Sequence, residues 1–178
     1  METTNSNSRR AFLSKSIKGA VLVGAGATFA GSLLEPMTLL AQTSNAALQA
    51  QIAKLGTASL QTSQLALTKA TNPEVKLFAK YEAAEQQTMG KILKDMGTPT
   101  PAPSPEGTAL LNKLKSLSGA AFNKAYMQGQ VETHQKLHST VAALNAAGDA
   151  HVKHVTSLAL ATITEHTERG QMLLAKLG

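Results

Sequence analysis

From residue 46 onward, apolar side chains recur three and four positions apart, the period of an α-helix rather than a strand. Leu48, Ile52 and Leu55 predict a first helix from about Ala46 to Ala70, a segment with no acidic residue and no histidine. Asn72 suits an N-cap, Pro73 the first helical position and Glu74 the positive helix start, so a second helix begins there. Its stripe reads Phe78, Tyr81, Met89, Ile92 and Met96, and Gly97 is its stop. Residues 97–107 carry proline at alternate positions and predict an extended, semi-rigid spacer suited to crossing the length of a bundle. A short amphipathic helix follows from Leu110 to Leu117. A third long helix runs from Ser118-Gly119 to about Ala147, with Phe122, Tyr126, Leu137, Val141 and Leu144 on its stripe. Gly148 ends it, and Asp149 caps a fourth helix marked by Val152, Val155, Ala159, Ile163, Leu173 and Leu177. So short a connection makes the last two helices antiparallel neighbours. The expected fold class is all-α: an antiparallel four-helix bundle with a Pro-rich crossover and a short extra helix between the second and third long helices.

The first 41 residues follow a different pattern. Residues 8–15 read Ser-Arg-Arg-Ala-Phe-Leu-Ser-Lys, and a mildly apolar, Gly-rich stretch runs from Gly19 to Leu34. Paired arginines, one spacer and Phe-Leu resemble the twin-arginine export signal. The apolar stretch is too short and Gly-rich for a comfortable span, which takes about 20 strongly apolar residues. Pro36 is expected to break the helix, with cleavage after Ala41 or Ala46. On this reading residues 1–41 are a signal peptide handed to the twin-arginine export machinery. Residues 42–178 are the mature domain, periplasmic or otherwise exported and with no stable membrane span. Retention of the leader as an anchor is the competing reading.

Polar residues on apolar stripes mark candidate chemistry. Glu85 lies four residues after Tyr81 and seven before Ile92. His134 lies seven before Val141, and His166 lies three after Ile163 and seven before Leu173. Placed by height in an up-down-up-down bundle, at about 1.5 Å per residue, the three differ by roughly 6 Å, or one turn. One carboxylate and two imidazoles can therefore share a layer, with Glu165, Tyr81 and Tyr126 nearby. That donor set suits a transition metal such as iron or manganese. It equally suits a buried Glu–His pair that only fixes helix register. The usual di-metal site of helical bundles also needs a glutamate from each of two helices and Glu-x-x-His from the other two. The first helix offers no acid and no Glu-x-x-His occurs, so a standard di-iron oxidase or ferroxidase is not expected. His134 with His138, and His151 with His154, are spaced to grip a surface metal, but solvated histidines read the same way.

Composition narrows the remaining classes. The chain of 178 residues suits one domain and is 43% apolar, enough for a real core, yet only 3% aromatic. No cysteine is present, which excludes disulfides, zinc-thiolate sites, iron–sulfur clusters, a thiol nucleophile and a lipoprotein anchor. The net charge of +6 falls to +4 once Arg9, Arg10, Lys15, Lys18, Glu2 and Glu35 leave with the leader. The remaining charges are scattered and not interleaved with aromatics, so no nucleic-acid partner is expected. No phosphate loop, Gly-x-Ser-x-Gly elbow or nucleophile–base–acid arrangement shows itself.

Phe78-Ala79-Lys80-Tyr81-Glu82-Ala83-Ala84-Glu85-Gln86 is similar to the block Phe-Ala-x-x-Met-x-x-Asp-His of the exported, ferritin-like family called domain of unknown function 4142. Gly119-Ala120-Ala121-Phe122-Asn123-Lys124-Ala125-Tyr126 resembles its Gly-x-x-Phe-Asp-x-x-Tyr block, with His134 and His166 matching its later histidines. The resemblance covers roughly residues 46–177 and implies a ferritin-like bundle and export, but no agreed activity. The family's Asp-His is Glu85-Gln86 here, and its Asp is Asn123, which puts any metal held through those groups in doubt. Three functions remain open. The first is a bundle-core metal or small-ligand protein centred on Glu85, His134 and His166. The second is a non-catalytic envelope or stress-associated interaction protein, in which homo-oligomerisation is an option. The third, ranked last, is an oxidative enzyme.

Overall fold

A computed structural model describes residues 35–178, with side chains from residue 45. The expected leader lies mostly outside the described residues. Five α-helices make up the described chain: α1 Glu35–Lys69, α2 Pro73–Asp95, α3 Pro105–Ser116, α4 Gly119–Ala147 and α5 Ala150–Leu177. Among the described residues no helix is long and apolar enough to cross a membrane.

Most boundaries follow from local chemistry. Asn72 Oδ1 accepts from the backbone N–H of Glu74 (2.8 Å) and Val75 (3.2 Å), so two orphan donors of α2 are satisfied at once. Asp149 Oδ1 accepts from Val152 N–H at 2.9 Å and starts α5 in the same way. Gly97 adopts φ 91°, a left-handed conformation that closes α2 without a Cβ penalty. Two boundaries differ from those expected. Pro36 is the second residue of α1, and the stretch it was expected to end lies outside the described residues; α1 starts earlier than Ala46 and runs through both Ala41 and Ala46. The extended spacer stops at Ser104, not at Gly107, because Ser104 Oγ accepts from Gly107 N–H at 3.1 Å and Pro105 begins α3. Both prolines sit in a first turn, where the missing N–H has no partner to lose.

Packing contacts set the topology. Asn45 Nδ2 donates to Ala147 O (3.4 Å), the Ser63 and Tyr126 hydroxyls meet at 2.8 Å, and Thr71 N–H donates to Asn123 Oδ1 at 3.1 Å. Thus α4 starts beside the α1–α2 turn and runs antiparallel to α1. Lys176 Nζ donates to Glu74 Oε1 at 2.8 Å, which sets the end of α5 beside the start of α2. Helices α2 and α4 therefore point the same way, and the order is up, down, down, up rather than up-down-up-down. The Pro-rich stretch and α3, which packs on α1 and α4, supply the length for this return.

Two apolar cores result. One, near the α1–α2 turn, joins Ala66, Val75, Phe78, Leu114, Phe122, Tyr126, Met127 and Leu173. The other, toward the α4–α5 turn, joins Ile52, Leu93, Leu137, Val141, Leu144, Ala159 and Ile163. Between them lies a buried polar layer: Ser59, Glu82, Gln130, His134 and His166. The inward face of α2 is Val75, Phe78, Ala79, Glu82 and Ala83, while Tyr81 is half-exposed. The expected stripe was rotated because large side chains outweigh alanines in a hydrophobic pattern, although the alanines pack more closely here.

Asn72→Ala removes a cap with two acceptor contacts and should lower unfolding free energy by about 1 kcal/mol. Denaturant titration of the two proteins reads this directly. An unchanged midpoint would mean that the α2 start is held by packing alone.

Candidate metal centre

Each long helix contributes to the polar layer. Glu82 comes from α2, His134 and Gln130 from α4, His166 from α5, and Ser59 from α1. Glu82 is fully buried, and His134 is almost fully buried. Glu82 Oε2 lies 2.6 Å from His166 Nδ1 and 3.2 Å from His134 Nε2, and the two ring nitrogens are 3.4 Å apart. The three side chains form a group able to hold a cation. Metal bonds of about 2.0–2.2 Å place neighbouring donor atoms about 3.0–3.5 Å apart, close to the spacing here.

Partners behind each donor fix its orientation. His134 Nδ1 is 2.8 Å from the Gln130 carbonyl, which can only accept, so Nδ1 carries a proton and Nε2 turns toward Glu82. His166 Nε2 faces the carboxylates of Glu85 (3.3 Å) and Glu165 (3.5 Å), leaving Nδ1 for Glu82. Glu82 Oε1 takes hydrogen bonds from Ser59 Oγ (2.5 Å) and Gln86 Nε2 (2.9 Å). Ser59 Oγ is also 2.7 Å from Gln130 Oε1, but its one proton goes to the stronger, charged acceptor. Glu82 Oε2 is left fully buried with no well-directed hydrogen bond from either imidazole, despite their proximity. Such an orphan is costly, and a cation between the three donors would relieve it. Ligating histidines normally show this arrangement, with the second nitrogen engaged by a carboxylate or carbonyl.

Gly56 on α1 makes room for one of these contacts. A Cβ there would sit 2.8 Å from Gln86 Oε1, so the position stays bare where Gln86 reaches across to Glu82. Gln130 continues the network, donating to Thr62 Oγ1 at 2.9 Å, and Ser63 joins it to the buried Tyr126 hydroxyl.

Of the residues the sequence singled out, His134 and His166 come together in the buried layer. Glu85 does not enter it. Its side chain is 45% exposed, and it touches only the outer nitrogen of His166. The carboxylate between the rings is Glu82, one turn earlier, which the sequence reading passed over. In the Phe78–Gln86 block Glu82 occupies the slot of an apolar Met, so the resemblance gave no signal for it. The available signal was that Phe78, Ala79, Glu82 and Ala83 share one helical face. Gln86 acts behind Glu82, and Asn123 pins the α1–α2 turn by donating to Thr71 Oγ1 at 2.9 Å. Exposed His138, His151 and His154 belong to no such group among the described residues.

Electrostatics couple the layer. Burial alone would raise the Glu82 pKa, but the close approach and charge of the His134 and His166 imidazoles outweigh it and hold the carboxyl well below its usual range. Burial alone would lower His166, but the Glu82 carboxylate against its ring and the charges of Glu85 and Glu165 raise it. The raised imidazole contributes stability that is complete below its ordinary value of 6.5 and is lost as pH climbs through the folded value. The lowered carboxylate contributes stability present above 4.5 and lost as pH falls through its folded value. Metal-free protein should therefore be most stable between 4.5 and 6.5 and lose stability above that window. Urea midpoints across pH with a chelator present test this, and a maximum well above 6.5 would contradict the assigned charges.

A family model described as Domain of unknown function (DUF4142) matches residues 35–173. No curated protein and no solved structure matches the chain.

Proposed function

The chain belongs to the DUF4142 family, whose description assigns no activity, and on that premise we propose that it is an exported, ferritin-like four-helix bundle binding one transition-metal ion through Glu82, His134 and His166. The observation that carries this reading is the orphaned Glu82 Oε2. It is buried and faced by two imidazole nitrogens whose far sides are already engaged. A buried Glu–His pair that merely locked register would not need two rings on one oxygen and would leave that oxygen properly hydrogen-bonded.

Two imidazoles and one carboxylate with open positions form the donor set of mononuclear iron, and of zinc in several hydrolases. Iron and manganese are the candidates retained here. A dinuclear centre lacks support, since α1 supplies hydroxyls rather than a carboxylate and Glu85 and Glu165 are half in solvent. Export rests on the twin-arginine leader at residues 8–15, and the up, down, down, up order with a long return between α2 and α4 supports the ferritin-like bundle.

The test is elemental analysis of protein purified after export of the full chain, beside three variants. About one ion per chain is expected in the wild type and in Glu85→Gln, against almost none in Glu82→Gln and in the His134→Ala/His166→Ala double variant. Metal lost with Glu85→Gln but kept with Glu82→Gln would move the site outward. Wild-type protein that stays metal-free even after reconstitution with iron, manganese and zinc would end the metal reading.

A further inference from the structure

The polar layer divides two unequal cores. On its α1–α2-turn side, Phe122 stacks on Tyr126 (6.2 Å between ring centres) and Phe78 meets Tyr126 edge-on (6.3 Å), so the interior is filled. On the other side lies a cavity of about 640 Å³. Its walls are apolar, among them Ile52, Leu93, Leu137, Leu144, Ala159 and Ile163, and one end is closed by His134 and His166 beside Glu85 and Gln86. Thr98–Pro101 of the Pro-rich stretch also line it. From His166 to Val155 along α5 the cavity wall runs about 16 Å at 1.5 Å per residue.

The cavity opens along the α2–α5 seam. These helices meet through Glu74–Lys176 and Phe78–His166 near one end, but their backbones make no extensive close approach. The lining there includes exposed Tyr81, Thr88 and Leu158, the last 72% exposed. Small residues at Ala159 and Thr162, where bulky ones would close the seam, keep the space open. Dimensions, apolar walls and a polar group cluster at one end fit an elongated small molecule rather than a folded partner.

We propose that this cavity binds a long-chain carboxylate, its apolar tail among Leu137, Leu144, Ala159 and Ile163 and its head completing the coordination of the metal held by Glu82, His134 and His166. The proposal rests on the metal reading above. It follows from charge and from position. A divalent ion with one carboxylate and two neutral imidazoles keeps a net positive charge in its own shell; outside it Arg169 offsets Glu165, and Glu85 is half in solvent behind His166. An anionic oxygen is therefore the complementary head. His134 and His166 are both ligands and cavity wall, so an ion between them lies at the cavity's end, within reach of a head whose tail fills the apolar part. Without the ion, the carboxylates of Glu82 and Glu85 face the same head with only His166 between them to offset the charge, so binding should be metal-dependent.

The test uses the exported protein loaded with Co(II), whose visible bands report coordination. Acetate, octanoate, decanoate and dodecanoate are titrated in turn. Bands that form with Co(II) alone establish the metal site independently of any carboxylate. Dodecanoate should then shift them at far lower concentration than acetate, with affinity rising up to about fourfold per added methylene until the cavity is filled. Ala159→Phe, which fills the cavity without touching a donor, should keep the Co(II) bands and weaken dodecanoate at least tenfold. Thr162→Trp, at the partly exposed seam, gives the same reading if Ala159→Phe does not fold. Co(II) bands with no chain-length dependence would overturn the proposal and leave the metal reading standing, as would full dodecanoate affinity in the filled variants. Absence of Co(II) bands would remove both.

Discussion

The buried carboxylate of Glu82 constrains the rest of the structure. An ionised glutamate with no access to water is tolerated only where charge and hydrogen bonds replace the lost hydration. Here those groups come from every other long helix: Ser59 on α1, His134 on α4 and His166 on α5. Sliding any of the four by one residue would strip Glu82 of a partner, so one side chain sets a common register for helices otherwise held by Ala-rich, weakly directional packing. The same convergence leaves one oxygen without a directed hydrogen bond, and that defect is the strongest physical argument for a cation at the centre.

The polar layer also separates two kinds of core. Toward the α1–α2 turn, aromatic side chains from α2 and α4 and Leu114 from α3 fill the interior. Toward the α4–α5 turn the core is aliphatic, and small residues on α5 do not fill the distance to α2. A close-packed interior would normally gain dispersion contacts by closing such a space. Its persistence beside the two imidazoles connects an architectural feature to chemistry: the cluster is buried from bulk water on one side and faces an apolar cavity that opens along the α2–α5 seam on the other.

Much of the fold was legible in the sequence. Asn72, Gly97, Gly148 and Asp149 mark helix ends through hydrogen bonds and backbone freedom that depend only on neighbouring residues, and the structure uses each of them in that way. The error at Pro105 arises because proline both interrupts a helix and suits its first turn. The helix directions were misjudged because apolar periodicity gives no orientation to helices joined by a long connection. The estimate that His134 and His166 share a height nevertheless agrees with the structure, because residues near the middle of a long helix are central from either end.

The sequence by itself determined that the described domain is helical, that thiol chemistry is absent, and that His134 and His166 lie on inward faces, because period, composition and capping are properties of the chain alone. Only the tertiary structure decided which carboxylate joins them. Glu82 and Glu85 are three residues apart on α2, about 60° around the helix axis, and both border the apolar stripe. Nothing local separates them. The choice is made by what packs against each position: a buried layer of Ser59, His134 and His166 on one side, and the solvent-exposed edge of α5 on the other.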